Sequence, residues 1–173
     1  MKKRLFSESG FVFLFIFSAC LVNLAVMALA VKIVNLFVVV DYFTAAVVRL
    51  ISSVVTVSGT VGAIVYFISY RKAEFEFGLA SGAFWIATLL QLLLSVLFKF
   101  YPFIGGGSLY LAGFLEHGRY FDSLSSVEYI GIIDYLLAFV ILALFNFAVY
   151  LLCGKLGAHK RLYDREKLLS EKK

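Results

Sequence analysis

The sequence predicts an all-α fold: a polytopic membrane protein built as a four-transmembrane-helix bundle, with a short basic C-terminal cytoplasmic helix. Three observations predict it. The 173 residues are 62% apolar and only 16% charged, whereas a soluble domain is near half apolar and about a quarter charged. The apolar residues gather in runs of membrane-crossing length, since a hydrocarbon core of about 30 Å needs about 20 helical residues. Lysine and arginine collect at alternate ends of those runs. A water-soluble globule and a disordered chain are excluded by the first observation, and one Pro with 13 Gly excludes collagen-like and Pro-rich chains. The chain, 1–173, reads as a single membrane domain.

The spans follow from where charge interrupts the apolar runs. Residues 11–70 contain three charges, Lys32, Asp41 and Arg49. A third span here would bury Asp41 near mid-bilayer, at about 2.5 to 3.5 kcal/mol on insertion scales, and would be too short. Two spans are therefore expected, at about 11–36 and 43–70. The third runs 77–100, between the charged turn at Arg71 and Lys72 and the helix-breaking Pro102. The fourth runs 126–153, opened by the capping-box spacing of Ser125 and Glu128 and closed before Gly154 and Gly157. A cleaved signal peptide ending at Ala28-Leu29-Ala30 fits less well, because the apolar stretch before it is too long.

Orientation comes from basic residues. With the N-terminus inside, the inner segments hold 12 of the 16 lysines and arginines, leaving Lys32, Arg49, Lys99 and Arg119 outside. This places both termini in the cytoplasm and the chain in the plasma (inner) membrane as a multi-pass protein.

Helices in lipid gain little from hydrophobic burial, so small residues and buried polar groups must hold them together. In the second span Ser58 and Gly62, and Gly59 and Ala63, form two small-residue ridges; the third opens with Gly78 and Gly82 at the same spacing. The short link between these spans implies that they pair as an antiparallel hairpin. Counting 1.5 Å per residue, Asn23, Gln91 and Thr56 lie roughly 18, 20 and 21 Å from the inner ends of their spans, so three helices offer a polar group at one level. That layer reads as structural glue or as the lining of a small polar site. Asn146 sits lower in the fourth span. Asp134, about 9 Å past Glu128 by the helical rise, is an intramembrane carboxylate and a candidate site, with Lys99 or Arg49 as its expected partner. Cys20 and Cys153 read as small packing residues rather than a disulfide.

The outer loop, 101–125, holds Gly105-Gly106-Gly107, an apolar run at 108–115 and the cluster Glu116-His117-Gly118-Arg119. The glycines allow the run to lie on the membrane surface or to dip back between helices. No Gly-Lys-Ser/Thr ending follows them, so no phosphate-binding loop is present, and His117 lacks a second histidine at ligand spacing. The tail, 154–173, carries Lys155, Lys160, Arg161, Arg165 and Lys167, and is expected to lie on an anionic inner leaflet.

Neither histidine falls in a span, and the HExxH and GxSxG patterns are absent. The expectation is accordingly no catalytic residue, no cofactor, no metal and no nucleic-acid partner. The leading expectation is a non-catalytic accessory or interaction subunit of a membrane complex, docked on a larger membrane protein or on copies of itself. The alternative is a self-assembling transporter or channel, and a membrane-embedded enzyme ranks third.

Overall fold

The computed structural model describes residues 2–39, 42–72, 75–97, 107–115 and 132–170. Among these residues the regular structure is entirely helical: α1 (Lys2–Asn35), α2 (Tyr42–Lys72), α3 (Phe77–Leu97), α4 (Ser108–Leu115) and α5 (Ile132–Ser170). α1, α2, α3 and α5 are long and apolar enough to cross a membrane. Asp41, Lys99, Pro102, Ser125, Glu128 and the 116–119 cluster lie outside the described residues.

Side-chain contacts fix the direction of each helix. Asn23 meets Ser53 and Glu8 lies 3.9 Å from Lys72, so α1 and α2 are antiparallel. Leu5 packs at Gly82 and Cys20 at Gln91, so α3 runs with α1. Ser58 meets Asn146 and Tyr70 meets Asp164, so α5 runs with α2. The four long helices alternate in direction, and the start of α1 and the end of α5 share one end of the bundle.

The arrangement around the bundle corrects the expected hairpin. α2 packs on α1 and α5, and α3 packs on those same two helices, so α2 and α3 face each other across the centre rather than lying side by side. The link between them gives the reason. Phe75 turns inward, its ring 6.3 Å from that of Tyr150, and fills the space that a side chain at Gly154 would occupy. A bulky ring docked on α5 holds the start of α3 away from the end of α2.

Alanine occupies the tightest positions: Ala19, Ala83, Ala87, Ala112 and Ala138 are all buried, while Leu14, Leu29, Leu93, Ile133 and Leu144 point outward. That is the reverse of a soluble bundle and suits one solvated by lipid, where close backbone approach replaces hydrophobic burial as the source of cohesion. One cluster joins Val12, Ile16, Val57, Val61, Phe84 and Tyr150; a second joins Tyr135, Ala138 and Phe139 to Ala112 of α4.

α5 departs most from its expected boundaries. It continues without a break through Gly154 and Gly157 to Ser170, 39 residues in all. At 1.5 Å per residue that is about 58 Å, nearly twice the hydrocarbon thickness. The basic tail is helical, but as an extension of the fourth span. The two glycines do not stop the helix because Phe75 packs on Gly154 and α2 on Gly157: a Cβ at Gly157 would fall 2.3 Å from the Tyr66 carbonyl oxygen.

Candidate functional site

The polar residues of the spans gather in the centre, but not as the single layer their depths imply. Asn23 Nδ2 donates to Ser53 Oγ at 2.9 Å, and Ser53 Oγ donates onward to Met27 Sδ at 3.0 Å. Ser58 Oγ donates to Asn146 Oδ1 at 2.5 Å, clamping α2 to α5. Gln91 Nε2 approaches Cys20 Sγ at 3.7 Å, tying α3 to α1. Thr56 is half-buried and joins none of these bonds. The partner of Asn23 is Ser53, one turn away from Thr56. Interhelical bonds of this kind average about 0.6 kcal/mol and reach about 2 kcal/mol.

Between these clamps lies a cavity of about 30 Å³, with polar lining from Ser53, Ser58, Thr88, Gln91, Ser108 and Asn146. The start of α4, Gly107 and Ser108, forms part of its wall, because α4 enters the bundle instead of lying on its surface. Gly107 is wedged between α2 and α5, where an added Cβ would fall 3.1 Å from Ser53 Cβ and 3.3 Å from Leu50 Cδ1. Glycine fits this close approach where a larger residue would not. The apolar sequence of α4 then climbs outward along α5, and Arg49 lies over the Tyr110 ring at 5.9 Å. Thr88, Ser108 and the inward start of α4 carried no sequence signal beyond the glycine run, because a lone hydroxyl in an apolar helix looks the same whether it faces lipid or a cavity.

A second, larger space of about 360 Å³ opens at the shared terminal end, where Phe75 keeps α2 and α3 apart. Its walls are apolar, including Phe11, Phe15, Val65 and Leu79, and its rim carries Glu8, Lys72 and Glu76. Phe84 lines the central cavity and Tyr150 this groove, their ring centroids 5.2 Å apart, and Val61 lines both spaces.

The small-residue ridges divide by face. Ser58 and Gly62 point inward, with Cys153 Sγ and Val149 Cγ1 each 3.0 Å from a Cβ built on Gly62. Gly59 and Ala63 are exposed, and among the described residues nothing stands within 4 Å of a Cβ on Gly59. Gly82 meets Leu5 of α1 rather than α2, and Gly78 meets nothing. Asp134 lies half-buried in the first turn of α5, where the helix dipole favours a negative charge. Among the described residues it forms no ion pair, and Arg49 is engaged with α4 instead. No three His, Cys, Asp or Glu side chains converge among the described residues.

Lys155, Lys160 and Arg161, all assigned to the lipid surface, also meet protein groups. Lys155 Nζ lies 5.5 Å from the Phe77 ring centre. Arg161 stacks on Tyr70 at 5.3 Å, and Tyr70 Oη donates to Asp164 Oδ2 at 3.0 Å. Lys160 Nζ lies 3.1 Å from Asp164 Oδ1. Arg165 and Lys167 are exposed. Tyr70, Lys160, Arg161 and Asp164 thus latch the end of α2 to the extension of α5.

The hydrogen bond from Lys160 holds the Asp164 carboxyl below its ordinary value, and the same bond raises the lysine. A depressed acid contributes stability above its unfolded value and loses it as pH falls through the folded one. A raised base contributes below its unfolded value and loses it as pH rises. The latch is therefore expected to be intact from about pH 4 to about pH 10. Amide exchange at residues 157–166, corrected for intrinsic rates, should be flat from pH 5 to 9 and accelerate below pH 4. Asp164→Asn should remove that acid limb, and an unchanged limb would show that another group carries it.

The comparisons with known proteins come out one way. No protein-family model, curated protein or solved structure matches this chain.

Proposed function

We propose that the protein is a non-catalytic subunit that associates laterally, within the membrane, with another membrane protein. The supporting observation is the unequal use of two similar ridges on α2. Ser58 and Gly62 are consumed by α5, while Gly59 and Ala63, beside Thr56 and Thr60, are exposed, and among the described residues nothing stands within 4 Å of a Cβ at Gly59. Glycine in a helix interior costs about 1 kcal/mol against alanine, and in lipid small residues are returned as stability only where a second helix packs on them. The buried polar groups fit this reading, since most of their bonds join the protein's own helices.

Both termini are assigned to the cytoplasm on the strength of the basic residues at the shared end of the bundle, including the α5 extension, which would meet the anionic leaflet there. Reporter fusions at the two ends should both answer from the cytoplasm.

The lateral contact is tested in mild detergent. The wild-type chain should purify with a stoichiometric membrane partner, and Gly59→Leu combined with Ala63→Leu should release that partner with the unfolding temperature changed by no more than about 2 °C, because neither position packs internally. A monodisperse 19.3 kDa particle without a companion overturns the proposal, as does a doubly substituted chain that keeps its partner.

A second reading, an oligomeric transporter or channel, draws on the polar cavity beneath α4. It requires Asn23, Gln91 and Asp134 to meet water. Single cysteines there that stay unreactive toward a charged thiol reagent would end it.

A further inference from the structure

α4 begins where a helix end is hardest to satisfy. Gly107 holds the N-cap position, its carbonyl accepting from Leu111 N at 3.0 Å. A glycine cap offers no side-chain oxygen to the next N–H groups, and the first four N–H groups of a helix have no partner within it. Ser108, the first helical residue, is 1% exposed and lines the central cavity. This end lies about 16 Å along α2 from Tyr42, at the level of Ser53, inside the hydrocarbon thickness. There the partial positive charge of a helix N-terminus is least screened.

An independent observation points to an occupant. Thr88, on the opposite helix, lines the same cavity at 5% exposure, and its Oγ1 is buried without a hydrogen-bond partner. A buried polar group left unpaired costs about 1 to 3 kcal/mol. Asn146 adds to the donor set: its Oδ1 accepts from Ser58, which leaves its amide N–H groups as donors. Among the described residues no carboxylate lines the space, and a cation would meet a positive helix end. A volume of about 30 Å³ accommodates a water molecule or two, or one small ion.

We infer that the central cavity is a binding site for a small monovalent inorganic anion of the halide kind, held by the N-terminus of α4, the Thr88 hydroxyl and the Asn146 amide. The site is separate from the outward face of α2, so it stands or falls independently of lateral association. Half-helix ends buried near mid-membrane serve anionic groups in this way because backbone N–H groups supply charge without an ionised side chain.

The test uses purified full-length protein in detergent, with sodium chloride or sodium bromide exchanged for sodium gluconate at constant sodium. Chloride should raise the apparent unfolding temperature saturably, by about 3 °C at tenfold its dissociation constant. Thr88→Val keeps the side-chain shape and removes the hydroxyl, so its unfolding temperature should be the same in chloride and gluconate; Thr88→Ala serves if the valine variant does not fold. Thr88→Ser should restore the chloride response. Identical wild-type curves in all three salts would mean the cavity holds water only and would overturn the inference. A full chloride response in a folded variant lacking the hydroxyl would overturn it equally.

Discussion

Gly157→Ala should be among the most destabilising single-methyl additions in this chain, at about 2 to 3 kcal/mol. The added Cβ would fall 2.3 Å from the Tyr66 carbonyl oxygen and 3.1 Å from both the Tyr66 carbonyl carbon and the Tyr70 nitrogen. Those are backbone atoms of a continuous helix, so no side chain can rotate away and the two helices must separate. Overpacking of this kind costs about 1 to 3 kcal/mol even where side chains can adjust. Separation also loosens the Tyr70 to Asp164 bond and the stacking of Arg161 that lie beyond the crossing. Gly154→Ala is a useful contrast. The three atoms nearest its Cβ all belong to the Phe75 ring, a side chain in a link that can swing, so the cost should be smaller. Reversible unfolding in mixed micelles would rank the two, and a Gly157→Ala chain as stable as wild type would show that α2 and α5 do not approach this closely.

The same glycines show where sequence reasoning reached its limit. The number and approximate placement of the long apolar helices were legible because the bilayer imposes a length and charge interrupts it: α2 and α3 match the expected ranges within about three residues at each end, while α1 starts earlier and α5 ends later. The end of the fourth span was not. Gly154 and Gly157 followed by lysines read as a stop signal, but a glycine under a crossing helix and a glycine after a helix end look alike until the partner helix is known. The hairpin expectation failed for a related reason. A short link limits how far apart two helix ends can be, yet Phe75 exploits that slack to dock on α5, and no local pattern records the choice. For the polar residues, depth along each span was computable but rotation about it was not. Asn23 and Thr56 are level, but Ser53 is the one that faces Asn23.

Phe84→Ala tests what holds the centre together. Phe84 is 1% exposed, with ring centroids 5.2 Å from Phe147, 5.2 Å from Tyr150 and 5.8 Å from Trp85. In a water-soluble core this truncation costs about 3 to 5 kcal/mol, part of it lost transfer from water and part the cavity left behind. A bundle that comes apart within lipid exposes the ring to hydrocarbon in both states, so the transfer part largely cancels and the packing part remains. The expected cost is therefore about 2 kcal/mol, with Phe84→Leu falling between alanine and wild type. A measured loss of 4 kcal/mol or more would mean that unfolding exposes this position to water, and the assignment of α3 as a span would have to be withdrawn. The variant has a second consequence that stability does not report. Phe84 lines the cavity of about 30 Å³ and packs on Tyr150, which lines the groove of about 360 Å³. Removing the Phe84 ring, which shares one core cluster with Cys20, should let a small thiol reagent reach Cys20, which is 1% exposed, in a Cys153→Ser background where Cys20 beside an intact Phe84 should stay unreactive.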